Sequence, residues 1–95
     1  MQKIHEHFIF KNEIAEYRGK IGFQAYNTAG ENVGIVFPCD NEASPTYGAC
    51  ELRFYEAHHT RYGEGQIVRS HGGKIQWAKL EKLLETSGSC QFFID

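Results

Sequence analysis

The chain has 95 residues, 41% hydrophobic and 23% charged, with seven Phe, five Tyr and one Trp. This is the composition of one soluble globular domain, and at this length a chain buries roughly 60–65% of the surface its unfolded form exposes, enough for one modest core. Ten Lys and Arg against twelve Asp and Glu leave a net charge of -2, too balanced for a protein whose affinity rests on neutralising phosphates. No apolar run approaches the ~20 residues of a membrane span. Met1 to Glu13 mixes two acids and two histidines with short apolar steps, which is not the pattern of a secretory signal.

The first expected strand places Ile4, Phe8 and Phe10 on one face, with His5 and His7 on the other. Glu13 to Glu16 reads as a short turn or bulge, and Gly19 tolerates an unusual backbone angle. Ile21, Phe23 and Ala25 then alternate with Gly22, Gln24 and Tyr26. Turn chemistry at 27–32 leads into Val33, Ile35 and Phe37, which resume the alternation. From Pro38 to Gly48 two prolines, Asp40, Asn41 and Ser44 make a long loop of the kind that carries function.

Cys50, Leu52 and Phe54 mark a fourth strand, and residues 58–65 a polar, glycine-bearing link. A strand follows at Gln66–Ser70, broken by Gly72-Gly73. Ile75, Trp77, Ala78, Leu80, Leu83 and Leu84 then recur at helical spacing, with charged residues between them. Ser87-Gly88 stops the helix, and Cys90, Phe92 and Ile94 form a last short strand. The expected fold is a single α+β domain over residues 1–95. It has an antiparallel sheet of five or six strands, in the chain order β-β-β-loop-β-β-α-β, and one amphipathic helix packed on that sheet.

Three cysteines, Cys39, Cys50 and Cys90, are an odd number, unlike the even counts of secreted disulfide frameworks. Cys39 and Cys50 flank one loop and are the pair that can bridge, but reduced thiols in the cytoplasm are the expectation, because free cysteine is among the most buried residue types.

Catalytic and metal chemistry find little to build on. Zinc sites normally use ligand pairs such as Cys-x2-Cys or His-x3-His, and neither spacing occurs among the five histidines and three cysteines, although His5 and His7 share a strand face and could meet His58 or His59. A His-rich metal module is therefore only a third reading, and no cofactor is expected. Cys39 beside Asp40, or Ser70 beside His71, are sequence neighbours on extended chain. Neighbours there point to opposite faces, so no nucleophile meets a base, and an enzyme is not expected.

Charge is distributed unevenly. No Lys or Arg lies between Lys20 and Arg53, where Glu31, Asp40, Glu42 and Glu51 fall. From Arg53 to Lys82 six basic residues face three acidic ones. Such asymmetry suits recognition of a charged macromolecule, and the leading expectation is a small module that occludes a protein partner. Inhibitors, immunity proteins and phage anti-defence factors act this way. Two surfaces are candidates: the acidic loop with Asp40, Glu42 and Tyr47, and a set comprising Tyr55, His59, Arg61 and Tyr62, residue types enriched at interface hot spots.

The alternative is a nucleic-acid or nucleotide-phosphate binder. It would use the basic C-terminal half, with His71, Gly72, Gly73 and Lys74 presenting backbone N–H groups at the start of the helix. The last strand, Phe92-Phe93-Ile94, is an edge able to pair with a second copy, so the chain is expected as a monomer or homodimer, away from membranes.

Overall fold

The computed structural model describes residues 6–70 and 73–94. Four long strands open the chain: β1 (Glu6–Tyr17), β2 (Lys20–Tyr26), β3 (Asn32–Pro38) and β4 (Cys50–Phe54). A 3-10 turn at Glu56–His58 leads into the short helix α1 (His59–Tyr62). Then follow β5 (Gly65–Ile67), β6 (Arg69–Ser70), β7 (Gly73–Lys74), helix α2 (Trp77–Ser87) and β8 (Ser89–Ile94). Six of the strands form one antiparallel sheet in the order β5-β4-β3-β2-β1-β8, and β6 pairs with β7 separately. This is the α+β sheet-and-helix architecture that the hydrophobic patterning implies. No helix among the described residues is long and apolar enough to cross a membrane.

The sheet is strongly curled. Phe8 in β1 and Phe54 in β4 stand three strand spacings apart in the sheet order, roughly 14 Å if it were flat. Their ring centroids are 5.4 Å apart. The curl also brings β6 against β8, so the sheet nearly closes on itself. Two glycines permit it. A Cβ on Gly22 would meet the Val36 carbonyl, and one on Gly34 the Arg53 carbonyl, so neighbouring backbones approach where any side chain would hold them apart.

Inside the curl lie Phe8, Phe10, Phe23, Ala25, Val36, Cys50, Leu52 and Phe54, joined by Val68 and Ile75. Helix α2 adds Leu80 and Leu84, both fully buried, each worth about 1.5–3 kcal/mol of burial. Its N-terminus has no side-chain cap; instead the Trp77 N–H donates to the Gly48 carbonyl at 2.9 Å. At the other end Gly88 takes φ 78°, and its N–H closes on Leu84 O, the left-handed stop that Ser87-Gly88 suggests.

Three expectations need correction. Val33, Ile35 and Phe37 do not form one core stripe. The β2–β3 register shifts after Ala25, so Val33 and Val36 enter the main core while Ile35 and Phe37 face the opposite side. Ile35 is nonetheless fully buried, and Phe37 lies under the Lys20 ammonium at 5.9 Å and the Arg53 guanidinium at 5.5 Å. Second, residues 13–16 are strand and not a turn, and of the two expectations it is the bulge that is found, at the start of that stretch. The irregularity falls between Phe10 and Ile14, and the reversal comes at Arg18-Gly19, both at positive φ, as a two-residue type I′ turn requires. Third, the link at 58–65 contains α1, and the strand expected at Gln66–Ser70 is interrupted at Val68, its halves pairing with different partners.

Candidate functional site

The β1–β2 hairpin extends past β8 as an arm, while its β2 edge stays close to β3 at Gly22. β8 accompanies β1 only from Glu6 to Lys11, and β3 accompanies β2 from Phe23 to Tyr26. Beyond those limits the arm pairs Ile14 with Phe23, Ala15 with Gly22, Glu16 with Ile21 and Tyr17 with Lys20. Residues opposite each other or two apart share a face, so Ile14, Glu16, Ile21 and Phe23 lie on one side. Phe23 is buried there beneath Trp77, the two rings stacked at 5.6 Å. Ile14 and Ile21 have no such cover and are 70% and 62% exposed.

The loop at 39–49 adjoins this end of the molecule. Lys20 bridges to Asp40 at 3.4 Å, and Gly48 holds the first N–H of α2 beside Trp77. The loop is built rather than slack. Asn41 Oδ1 accepts from Ala43 N–H, Ser44 Oγ from Thr46 N–H, and the backbone of Cys39 bonds to both Gly48 and Ala49. It presents Asp40 and Glu42 exposed, and Tyr47 at 53% exposure. The three loop residues expected from sequence are thus all exposed on this loop. Ile14, Ile21 and Tyr47 are the exposed large hydrophobics among the described residues, and Trp77 is placed between the arm and the loop.

Cys39 sits within the loop with its thiol ionising more easily than usual. The Thr46 hydroxyl donates to Sγ at 3.4 Å, and the Asn41 backbone and Ser44 hydroxyl assist. Cys50 and Cys90 behave oppositely: burial pushes their thiols up to about 12 and about 11. All three are free thiols.

The other expected surface is divided by the fold. Tyr62 is only 7% exposed and packs in the core, stacked on Phe54 at 4.8 Å and edge-on to Phe8 at 5.3 Å. Its hydroxyl donates to Glu6 at 3.0 Å and accepts from Asn27 at 3.4 Å. The one-turn helix α1 carries it inward, which corrects its assignment to a surface. Arg61 stays exposed and reaches Glu6 at 3.6 Å. Tyr55 is half-buried on the far side of the sheet, its ring against Tyr17 at 4.9 Å and its hydroxyl donating to Gln24 at 2.8 Å. His59 Nε2 lies 2.8 Å from the Phe54 carbonyl, so that nitrogen carries the proton and donates.

His59 also lines a shallow cleft of about 210 Å³ with Arg18, Glu51, Arg53, Glu64 and Gly65. Arg53 is held by Glu51 at 2.6 Å and Arg18 by Glu56 at 3.6 Å. Its cations thus already have carboxylate partners, which leaves little field for an anionic ligand.

Of the alternative anion site, His71 and Gly72 lie outside the described residues, as do Ile4 and His5. Gly73 pairs with Ser70, and the Lys74 ammonium donates to the Pro45 carbonyl at 3.3 Å. Among the described residues no three His, Cys, Asp or Glu side chains are grouped to hold a metal.

The patch formed by Ile14, Ile21 and Trp77 escapes sequence reasoning. Ile21 alternates in phase with Phe23 and so looks like core. It stays uncovered because the ring that caps this face, Trp77, stacks on Phe23 and leaves Ile21 62% exposed. Comparison with protein-family models, curated proteins and solved structures finds no match.

Proposed function

We propose that this protein is a binding module that docks on a protein partner and occludes its functional face, in the manner of an inhibitor, an immunity protein or a phage anti-defence factor. The observation that carries this reading is the pair Ile14 and Ile21, both more than half exposed on one face of the β1–β2 hairpin arm. Large apolar side chains grouped at a surface mark interaction sites, and an aromatic anchor nearby, here the half-buried Trp77, is the residue type that dominates interface energetics.

Charge defines the partner. Glu16 stands directly across from Ile21 on the same face, and Glu42 and Asp40 are exposed on the adjoining loop. The partner surface is therefore apolar at its centre and basic around it. The acidic side of the chain supplies orientation and on-rate, and the apolar patch supplies affinity. A reducing cytoplasmic setting goes with this reading, supported by three free thiols.

The test is affinity capture from source-cell lysate, split into nuclease-treated and untreated halves. A stoichiometric protein retained after nuclease supports the reading. Co-elution that disappears with nuclease overturns it in favour of nucleic acid, and an empty capture in both halves overturns it outright.

A further inference from the structure

The arm offers backbone as well as side chains. In a two-residue hairpin the flanking pair, Tyr17 and Lys20, exchanges hydrogen bonds, and bonded and non-bonded pairs alternate from there. Ala15–Gly22 is then bonded, whereas Glu16–Ile21 and Ile14–Phe23 are not. The N–H and C=O groups of Ile14 and Glu16 consequently point away from β2. One step back on that edge the Asn12 N–H is taken by the Gly88 carbonyl at 3.0 Å, after which β8 runs alongside β1. Beyond Asn12, no strand among the described residues pairs with this side of β1. The result is a short open sheet edge, collinear with β8, carrying an isoleucine that is 70% exposed.

Open edges are normally blunted by charge, by bulges or by cover. Here the irregularity of β1 falls between Phe10 and Ile14, before the open stretch, and on that stretch a large apolar side chain, Ile14, is left 70% exposed beside the exposed Glu16.

We propose that the partner contributes an extended segment that adds to this edge as an antiparallel strand, continuing the line of β8. The inference rests on the arm being the binding surface, and it specifies the ligand. Cross-strand neighbours favour an apolar or β-branched residue opposite Ile14 and a basic residue opposite Glu16. Because the added strand runs antiparallel, the segment reads Lys or Arg, any residue, then Val or Ile. Main-chain bonds to Ile14 and Glu16 provide affinity, and the two side chains provide the choice of sequence.

The probe is a phage-displayed random heptapeptide library panned on the immobilised chain. Selected peptides are then titrated by fluorescence anisotropy against three variants. Glu16→Pro removes an outward N–H without touching the hairpin bonds, Glu16→Thr removes the carboxylate while keeping that N–H, and Ile14→Lys/Ile21→Lys removes the apolar patch. The expected result is enrichment of the basic-x-β-branched pattern, with peptides binding roughly tenfold more weakly to Glu16→Pro than to Glu16→Thr. Peptides that bind Glu16→Pro and Glu16→Thr alike, yet fail on Ile14→Lys/Ile21→Lys, overturn strand addition and leave the patch as the binding surface. No selected peptide, or peptides indifferent to all three variants, overturns both. Should Glu16→Pro not fold, amide exchange on the wild-type complex decides: slowed exchange at Ile14 and Glu16 supports strand addition, and unchanged exchange overturns it.

Discussion

Ile14 and Phe23 face each other across the β1–β2 hairpin, yet Ile14 is 70% exposed and Phe23 only 6%. The difference comes from what lies beyond the hairpin. Trp77 stacks on Phe23 at 5.6 Å, and nothing comparable covers Ile14. The same sheet face thus changes from core to surface within one residue pair. That boundary sets apart Ile14 and Ile21, whose exposed side chains contribute little to holding the fold together.

Tyr62 belongs to the fold, and its substitution separates stability from binding. Tyr62→Phe keeps the stacked ring but removes the bonds to Glu6 and Asn27, and should cost about 1 kcal/mol. Tyr62→Ala should cost about 3–5 kcal/mol. Urea unfolding of the two variants checks both, and an alanine variant as stable as wild type would contradict the burial described.

The three thiols should differ in reactivity. Cys39, with its ionisation eased by Thr46 and its neighbours, should be alkylated by iodoacetamide at neutral pH, while Cys50 and Cys90 wait for unfolding. Thr46→Val should slow the reaction at Cys39, read by mass spectrometry. Stability has a related pH dependence. Because the fold holds Cys50 protonated up to about 12, against an ordinary value of 9.0, the unfolded chain releases its proton first as pH rises. Stability therefore falls from about pH 9 upward, and Cys50→Ala should flatten that decline in alkaline unfolding curves.

Reversing the loop charges tests steering. Asp40→Lys with Glu42→Lys changes exposed positions, one of them in an ion pair with Lys20 at 3.4 Å, so stability should move by less than ~1 kcal/mol. Association with a basic partner should slow markedly, and the wild-type rate should fall as salt is raised. Biosensor on-rates at two ionic strengths check this, and equal rates for the two proteins would remove the acidic loop from the account.

Much of the fold is legible in the residue pattern, because period-2 alternation and one amphipathic stripe leave few ways to bury thirteen aromatic rings' worth of surface. Phe8, Phe10, Phe23, Leu52, Phe54, Leu80 and Leu84 all lie where the periodicity puts them. What escaped depends on tertiary context. The register shift at Val33 transfers Ile35 and Phe37 to the other face, and nothing local marks it. Helix α1 is four residues long, too short to show a period, so Tyr62 read as an exposed polar-tipped ring. That Asp40, Glu42 and Tyr47 lie on an exposed loop is legible in the turn composition around them. The exposure of Ile14 and Ile21 is not legible there, since it depends on how far Trp77 reaches over that face.

The central claim is that the arm's apolar patch binds the partner, and the most direct measurement is calorimetric titration of the captured partner with wild type and with Ile14→Lys/Ile21→Lys. Both positions are exposed, so the double variant should unfold within about 0.5 kcal/mol of wild type. It should nevertheless lose about 2 kcal/mol of binding energy or more, roughly thirtyfold in affinity. Equal affinity in the two proteins would contradict the account.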